Sequence, residues 1–339
     1  MRWWLLSFVV AGSSLILRHD ICRTASGLEL TLSPAPAENT DKYRLVPSPT
    51  EQRDEDAVPL YIKAVQLLPK DFSTDQISKW RGMPLDKMPL KEVAEAVKAL
   101  RPSLQMVEQA AKYRKCNWPA VPAGATIANL QEYRWLANSI TLQSSLQMAQ
   151  GQYQQAVNSI GAGFVMAEHI GKGPTLVQGL VGVAIAELMC REVEKLIQVN
   201  EAPNLYWALR GLPRPVVDIS RAMGIEKANL QQYKDPATRK QLEETLKPAH
   251  ARVELTVKRL DRHVTALQCI EAIRHFAATH DSKFPKELGD ITGIALPNDP
   301  VTEKPFAYIL KGSTATLEGL TPSGGTEKDV IRYELKLKQ

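Results

Sequence analysis

Between residues 126 and 199 apolar side chains recur at helical spacing through three successive stretches, and no other feature of the chain narrows its fold so far. Ile127, Leu130, Leu136, Ile140, Leu142 and Leu146 carry the pattern over 126–149. Gly151-Gln152-Tyr153 then reverses the chain, and a second helix runs to Ile170, with Gly171 expected in the left-handed position beyond its end. The third stretch, Thr175 to Val199, is the most apolar. Gly179, Gly182, Ala184 and Ala186 permit close helix contact, and Gln178 and Glu187 leave an apolar run too short for a membrane span, so a buried core helix is expected.

The flanks read as further helices and then strands. Asp54, Glu55 and Asp56 ahead of Pro59 suit a helix N-terminus, with Leu60, Ala64, Leu67 and Leu68 on one face. Leu90–Leu100 and Ser103–Arg114 read as two helices parted by Pro102, followed by a loop over 115–124. Pro203 opens a short helix; Asp235-Pro236 opens another, which Pro248 interrupts before a long helix from about 249 to 280. Beyond Asp281, proline-rich turns separate three short strands, Phe306–Lys311, Thr314–Gly319 and Val330–Leu337. The expected fold is mainly α, with antiparallel helical hairpins over 55–235. Residues 236–339 supply the long helix and a small α+β element of about three antiparallel strands.

Residues 1–27 read as a signal peptide or N-terminal anchor. Arg2 precedes an apolar run from Trp3 to Leu17, which reaches about 22 Å as a helix, short of the ~30 Å hydrocarbon core. Residues 28–54, with Ser33-Pro34-Ala35-Pro36 and Val46-Pro47-Ser48-Pro49, read as a disordered proline-rich linker. The expectation is an exported protein, periplasmic or in the cell envelope, that touches membrane only through the N-terminal segment if that is uncleaved. A hydrophobic content of 44% with 23% charged residues excludes a polytopic membrane or wholly disordered chain. A net charge of +5 is too small to mark a nucleic-acid surface.

Chemistry-bearing motifs are sparse. Cys22, Cys116, Cys190 and Cys269 form no CxxC pair; Cys190 reads as a buried thiol, and pairing in an exported chain stays open. Glu271 and His275, four apart and with His263 and His280 nearby, read as a solvated helix pair. Gly171-Lys172-Gly173-Pro174-Thr175 reads as a helix–helix turn, its spacing being wrong for a phosphate loop. With no HExxH or GxSxG, no catalytic residue, cofactor or metal ligand is assigned. Trp118, Tyr153, Asn204, Tyr206 and Trp207 are the candidates for a groove, with core packing as their alternative.

Three resemblances rest on quoted residues. Gly151-Gln152-Tyr153-Gln154-Gln155-Ala156, with Ser144 and Ile160, resembles the turn of a tetratricopeptide repeat. Phe284-Pro285-Lys286-Glu287-Leu288, Asp299-Pro300 through Lys304-Pro305, and Tyr308 resemble the globular part of type II secretion pseudopilins over about 262–339, with Ser323, Glu327 and Asp329 in a solvated turn. Asp56-Ala57-Val58-Pro59-Leu60-Tyr61, Cys116-Asn117-Trp118, Gly173-Pro174-Thr175-Leu176 and Ala202-Pro203-Asn204-Leu205 resemble an uncharacterised family of exported helical proteins of planctomycete-type bacteria, a resemblance that implies no activity. The function expected from this set is a helical binding or scaffold module for a peptide or protein partner in the envelope. An enzyme with an unrecognised site and an accessory of a secretion apparatus are the alternatives.

Overall fold

The computed structural model describes residues 27–38, 42–69, 74–120, 130–321 and 330–338. Residues 1–26, which carry most of the segment read as a signal peptide or anchor, and Ser323, Glu327 and Asp329, read as a solvated turn, lie outside these residues. Among those described, nine α-helices dominate: α1 (Val58–Gln66), α2 (Thr74–Arg81), α3 (Leu90–Ala110), α4 (Leu130–Ala149), α5 (Tyr153–Gly171), α6 (Leu176–Ile197), α7 (Tyr206–Arg210), α8 (Ser220–Gln231) and α9 (Pro236–Thr279). The expected mainly α class holds.

The helices α4, α5 and α6 form the central layer, as their apolar periodicity requires. Gly151 makes the α4–α5 reversal with φ of +71°, a conformation that costs glycine nothing. Thr175 caps α6, its side-chain oxygen accepting from the Gln178 amide at 3.3 Å. Gly171 is not the expected left-handed cap. It ends α5 in helical conformation, where a Cβ would lie 2.3 Å from a Val217 methyl, so close packing requires the glycine.

Two proline readings are corrected. Both α3 and α9 run unbroken through Pro102 and Pro248. Each proline and the residue four before it, Lys98 or Glu244, is exposed, so water can serve the carbonyl that loses its amide partner.

The linker reading is overturned for much of 28–54. Leu28-Glu29-Leu30-Thr31-Leu32 is strand β1, and Arg53–Asp56 is β2, paired in parallel with β3 (Tyr113–Lys115). The alternation of leucine with polar residues buries Leu30 and Leu32 on one face, a burial that outweighs the ordering cost the prolines signal. The strands β4 (Ala307–Lys311), β5 (Thr314–Gly319) and β6 (Ile331–Leu337) form the expected antiparallel ladder. β1 adds a fourth, parallel strand against β6, with Leu30 opposite Leu335, to give the order β1-β6-β5-β4.

One hydrophobic cluster runs from Leu30 through the helical layer to Leu335, across the expected division at 235. α9 lies between the two halves: its first half is largely exposed, and from Val253 onward it is buried against α6, α7 and the sheet. No helix among the described residues is long and apolar enough to cross a membrane.

Candidate functional site

A cleft lies on the helical hairpin. It encloses about 570 Å³, within the range of ligand sites, and opens between α3, the α4–α5 turn and the segment 42–51. Gln147, Gln154, Gln155, Asn158 and Ser159 supply an amide and hydroxyl wall, while Lys42, Arg44, Arg101 and Lys112 outnumber Glu51 and Glu108 around it.

The wall is built from a hydrogen-bond chain. Gln143, buried on α4, donates to Glu108 Oε1 at 3.0 Å and to Ser159 Oγ at 2.8 Å; Ser159 in turn donates to Gln147 Oε1 at 2.8 Å. Glu108 also pairs with Arg101 at 2.7 Å. Gln154 donates to Asn158 at 3.0 Å, which leaves both amides with further capacity toward the cleft. Val46 packs beside Ala111, Ala162 and Val165.

The segment that closes the cleft crosses α5 at Gly161. A Cβ there would lie 2.9 Å from the carbonyl oxygen of Leu45 and 3.1 Å from its Cα. The Leu45 side chain is buried. Glycine at this position therefore allows a bent, irregular stretch of chain to lie backbone-to-backbone on the hairpin.

The five residues singled out by sequence lie elsewhere, and none lines this cleft. Trp118 is buried. Its indole donates to the His169 carbonyl at 2.6 Å, and its ring stacks on Tyr61 and meets Tyr133 edge-on. Tyr153 is half-buried, its hydroxyl donating to the Asn200 carbonyl at 2.8 Å. Asn204 and Trp207 form a seat for the residues that follow β1, while Tyr206 reaches the segment after α9. Asn204 donates to the carbonyls of Ala35 and Glu271 at 2.9 and 2.8 Å, Trp207 donates to that of Ala37 at 3.4 Å, and Tyr206 donates to that of Ala295.

Two buried histidines organise the interior in opposite ways. His169 stands against Tyr61, whose hydroxyl is 2.9 Å from Nδ1. Burial, with Lys172 adding to it against Glu168 and Asp56, lowers its pKa to about 4, so the ring is neutral. Burial likewise pushes the nearby Cys116 thiol up to about 12, which leaves it unreactive at neutral pH. His263, on α9, instead faces carboxylates on both sides: Nδ1 is 2.7 Å from Glu187 and Nε2 is 2.9 Å from Glu194, both on α6.

The solvated reading of Glu271 and His275 is corrected. Glu271 is fully buried and pairs with Arg274 at 2.7 Å, while His275 Nδ1 accepts from the Ala37 amide at 3.0 Å. The two share no ligand, and no group of three His, Cys, Asp or Glu among the described residues is placed to hold a metal ion. The described cysteines, Cys116, Cys190 and Cys269, are free thiols.

Sequence reasoning missed the amide wall and the carboxylates around His263. Their signals were the run of Gln and Asn from 147 to 158 and the glutamates Glu187 and Glu194, seven apart on a helix whose first half is almost wholly apolar. Comparison with family models, curated proteins and solved structures found no match. The three resemblances rest on their quoted residues alone.

Proposed function

We propose that this chain is an exported envelope module that holds an extended peptide segment of a partner protein in the cleft on its helical hairpin. The observation that carries the reading is the path of Leu45 across Gly161: the hairpin already accepts a non-helical segment at backbone distance, and the cleft continues beside it. An amide wall suits such a ligand, because glutamine and asparagine pair with both the donors and the acceptors of a peptide backbone. The surplus of cations around the cleft favours a peptide with acidic side chains.

The test is a displayed peptide library screened against the full chain. Alanine at Gln154, Gln155 and Asn158 together should weaken recovered peptides at least about tenfold, with an unchanged thermal midpoint. Unchanged affinity places the peptide elsewhere and sinks the reading. Export is tested separately, by a reporter fused after residue 60 that should be active only outside the cytoplasm.

The enzyme alternative has one supporting feature, the convergence of Glu187, Cys190, Glu194 and His263. Cys190 is 0% exposed and the His263 side chain 4%, so no substrate reaches either in this conformation.

A further inference from the structure

The packing of α6 against α9 and β6 contains a proton that the ordinary chemistry of its residues would not hold at neutral pH. Both ring nitrogens of His263 lie at hydrogen-bond distance from carboxylate oxygens, Glu187 at 2.7 Å and Glu194 at 2.9 Å. Carboxylates only accept, and a neutral imidazole has one N–H to give. Each contact needs its own hydrogen, so the array holds one proton more than a neutral histidine between two carboxylates. That count is the same whether the proton rides on the ring or on a carboxyl. Tyr333, on β6, donates to the same Glu194 oxygen at 2.7 Å and draws the sheet into the array.

We propose that this Glu187–His263–Glu194 array is a proton-loaded clamp joining the helical layer to α9 and the sheet, closed at neutral pH and released as pH rises. The position is well shielded: His263 is 4% exposed, Glu194 7% and Glu187 21%. The groups facing the ring are Glu187, Cys190 and Glu194 on α6, and Tyr333 on β6 reaches Glu194. Within a turn of it along α9 lie Arg259, Asp261, which accepts from the Val216 amide, and Arg262, which pairs with Asp299. Arg191 follows Cys190, and Arg214 lies within electrostatic reach of that thiol. Burial raises the Cys190 pKa and His263 opposes that rise, in keeping with a positive ring beside the thiol.

The unfolded chain releases the extra proton near the usual histidine pKa of about 6.5, and the folded array keeps it to higher pH. The stability it supplies is therefore fully present below about pH 6.5 and is lost as pH rises through the folded titration. The folding equilibrium should fall about tenfold per pH unit in that window. His169 opposes this fall near the lower edge of the window, where its unfolded ring still titrates at about pH 6.5, and has little effect above about pH 7.5, so the slope is read there.

The experiment is chemical unfolding of the full chain from about pH 6.5 to 8.5, with Glu187→Gln and His263→Gln alongside. The unaltered chain should show the tenfold-per-unit fall. Glu187→Gln should flatten it, because an amide can donate to Nδ1 and removes the demand for the proton. A flat profile in the unaltered chain overturns the proposal, as does a slope that persists in both variants. If neither variant folds, calorimetry of the unaltered chain at about pH 7.5, in buffers of different ionisation enthalpy, decides: unfolding should release close to one proton, and no release overturns the clamp.

Discussion

Gly161 and Arg262 mark two ways of joining elements in this molecule. At Gly161, helix α5 meets the backbone of Leu45 with no side chain between them, and the contact depends on shape alone. At Arg262, helix α9 meets the Asp299 turn through a buried bidentate pair at 2.8 and 2.5 Å, and the same guanidinium donates to the Leu320 carbonyl at 2.6 Å. The histidines repeat the division, His169 neutral among aromatic rings and His263 between carboxylates. Shape-joined contacts lose a little when disturbed and can give way locally. Charge-joined contacts lose a great deal, since the surviving partner stays buried without its counter-charge.

The largest effect should come from Asp299→Ala. Burial alone would raise this carboxyl's pKa, but Arg262, the Val301 amide and the Thr302 hydroxyl outweigh it and hold the pKa below the ordinary value. Removing the carboxylate strands Arg262, and urea unfolding should register a loss of about 3–5 kcal/mol. A loss under about 1 kcal/mol would erase the contrast between the two regions.

The next effect is acid-induced and belongs to His169. Its folded pKa is about 4, below the unfolded ~6.5, so its contribution is whole above about pH 6.5 and drains away as pH falls toward 4. The amount is about 3 kcal/mol, read as a falling unfolding midpoint on the acid side that His169→Gln should flatten. His263 predicts the opposite slope on the alkaline side, so one pH series separates the two regions.

Gly161→Val should cost about 2 kcal/mol, because the obstacle is backbone and cannot turn aside. Its sharper readout is faster tryptic cleavage at Lys42 and Arg44 while the rest of the chain stays resistant. Resistance equal to the unaltered chain would mean that 42–47 is not held at Gly161.

The smallest effects are expected at the hairpin turn. A fully buried Tyr153 would lose about 3–5 kcal/mol on truncation, but the ring is half-buried with one hydrogen bond, so Tyr153→Ala should cost about 1–2 kcal/mol. Gly151→Val should cost a similar ~1–2 kcal/mol, from its φ of +71° and not from a clash, since nothing lies within 4 Å of the added Cβ. Thermal midpoints of both variants check this ordering.

Much of the architecture was legible in local pattern. The three apolar helices of the central layer, the turn at Gly151 and the strands β4 to β6 lie within a few residues of where spacing put them. Pattern failed where a residue's partner is distant in sequence. Pro102 and Pro248 read as breaks because the solvent exposure that excuses them is a tertiary fact. Leu28–Leu32 read as linker because its ladder partner, Tyr333–Leu337, lies at the other end of the chain. Glu271 read as solvated because nothing local shows that Arg274 pairs with it out of water.

The candidate site divides along the same line. The sequence by itself determined a helical hairpin with Gln154, Gln155 and Asn158 beside its turn, since helical periodicity assigns faces without knowledge of what they meet. Only the tertiary structure decided that segment 42–51 and helix α3 close that face into a cleft, and that His263 lies between Glu187 and Glu194. Burial and charge pairing depend on distance in space, and a hydrogen bond that spans 76 residues of chain leaves no periodic trace in the sequence.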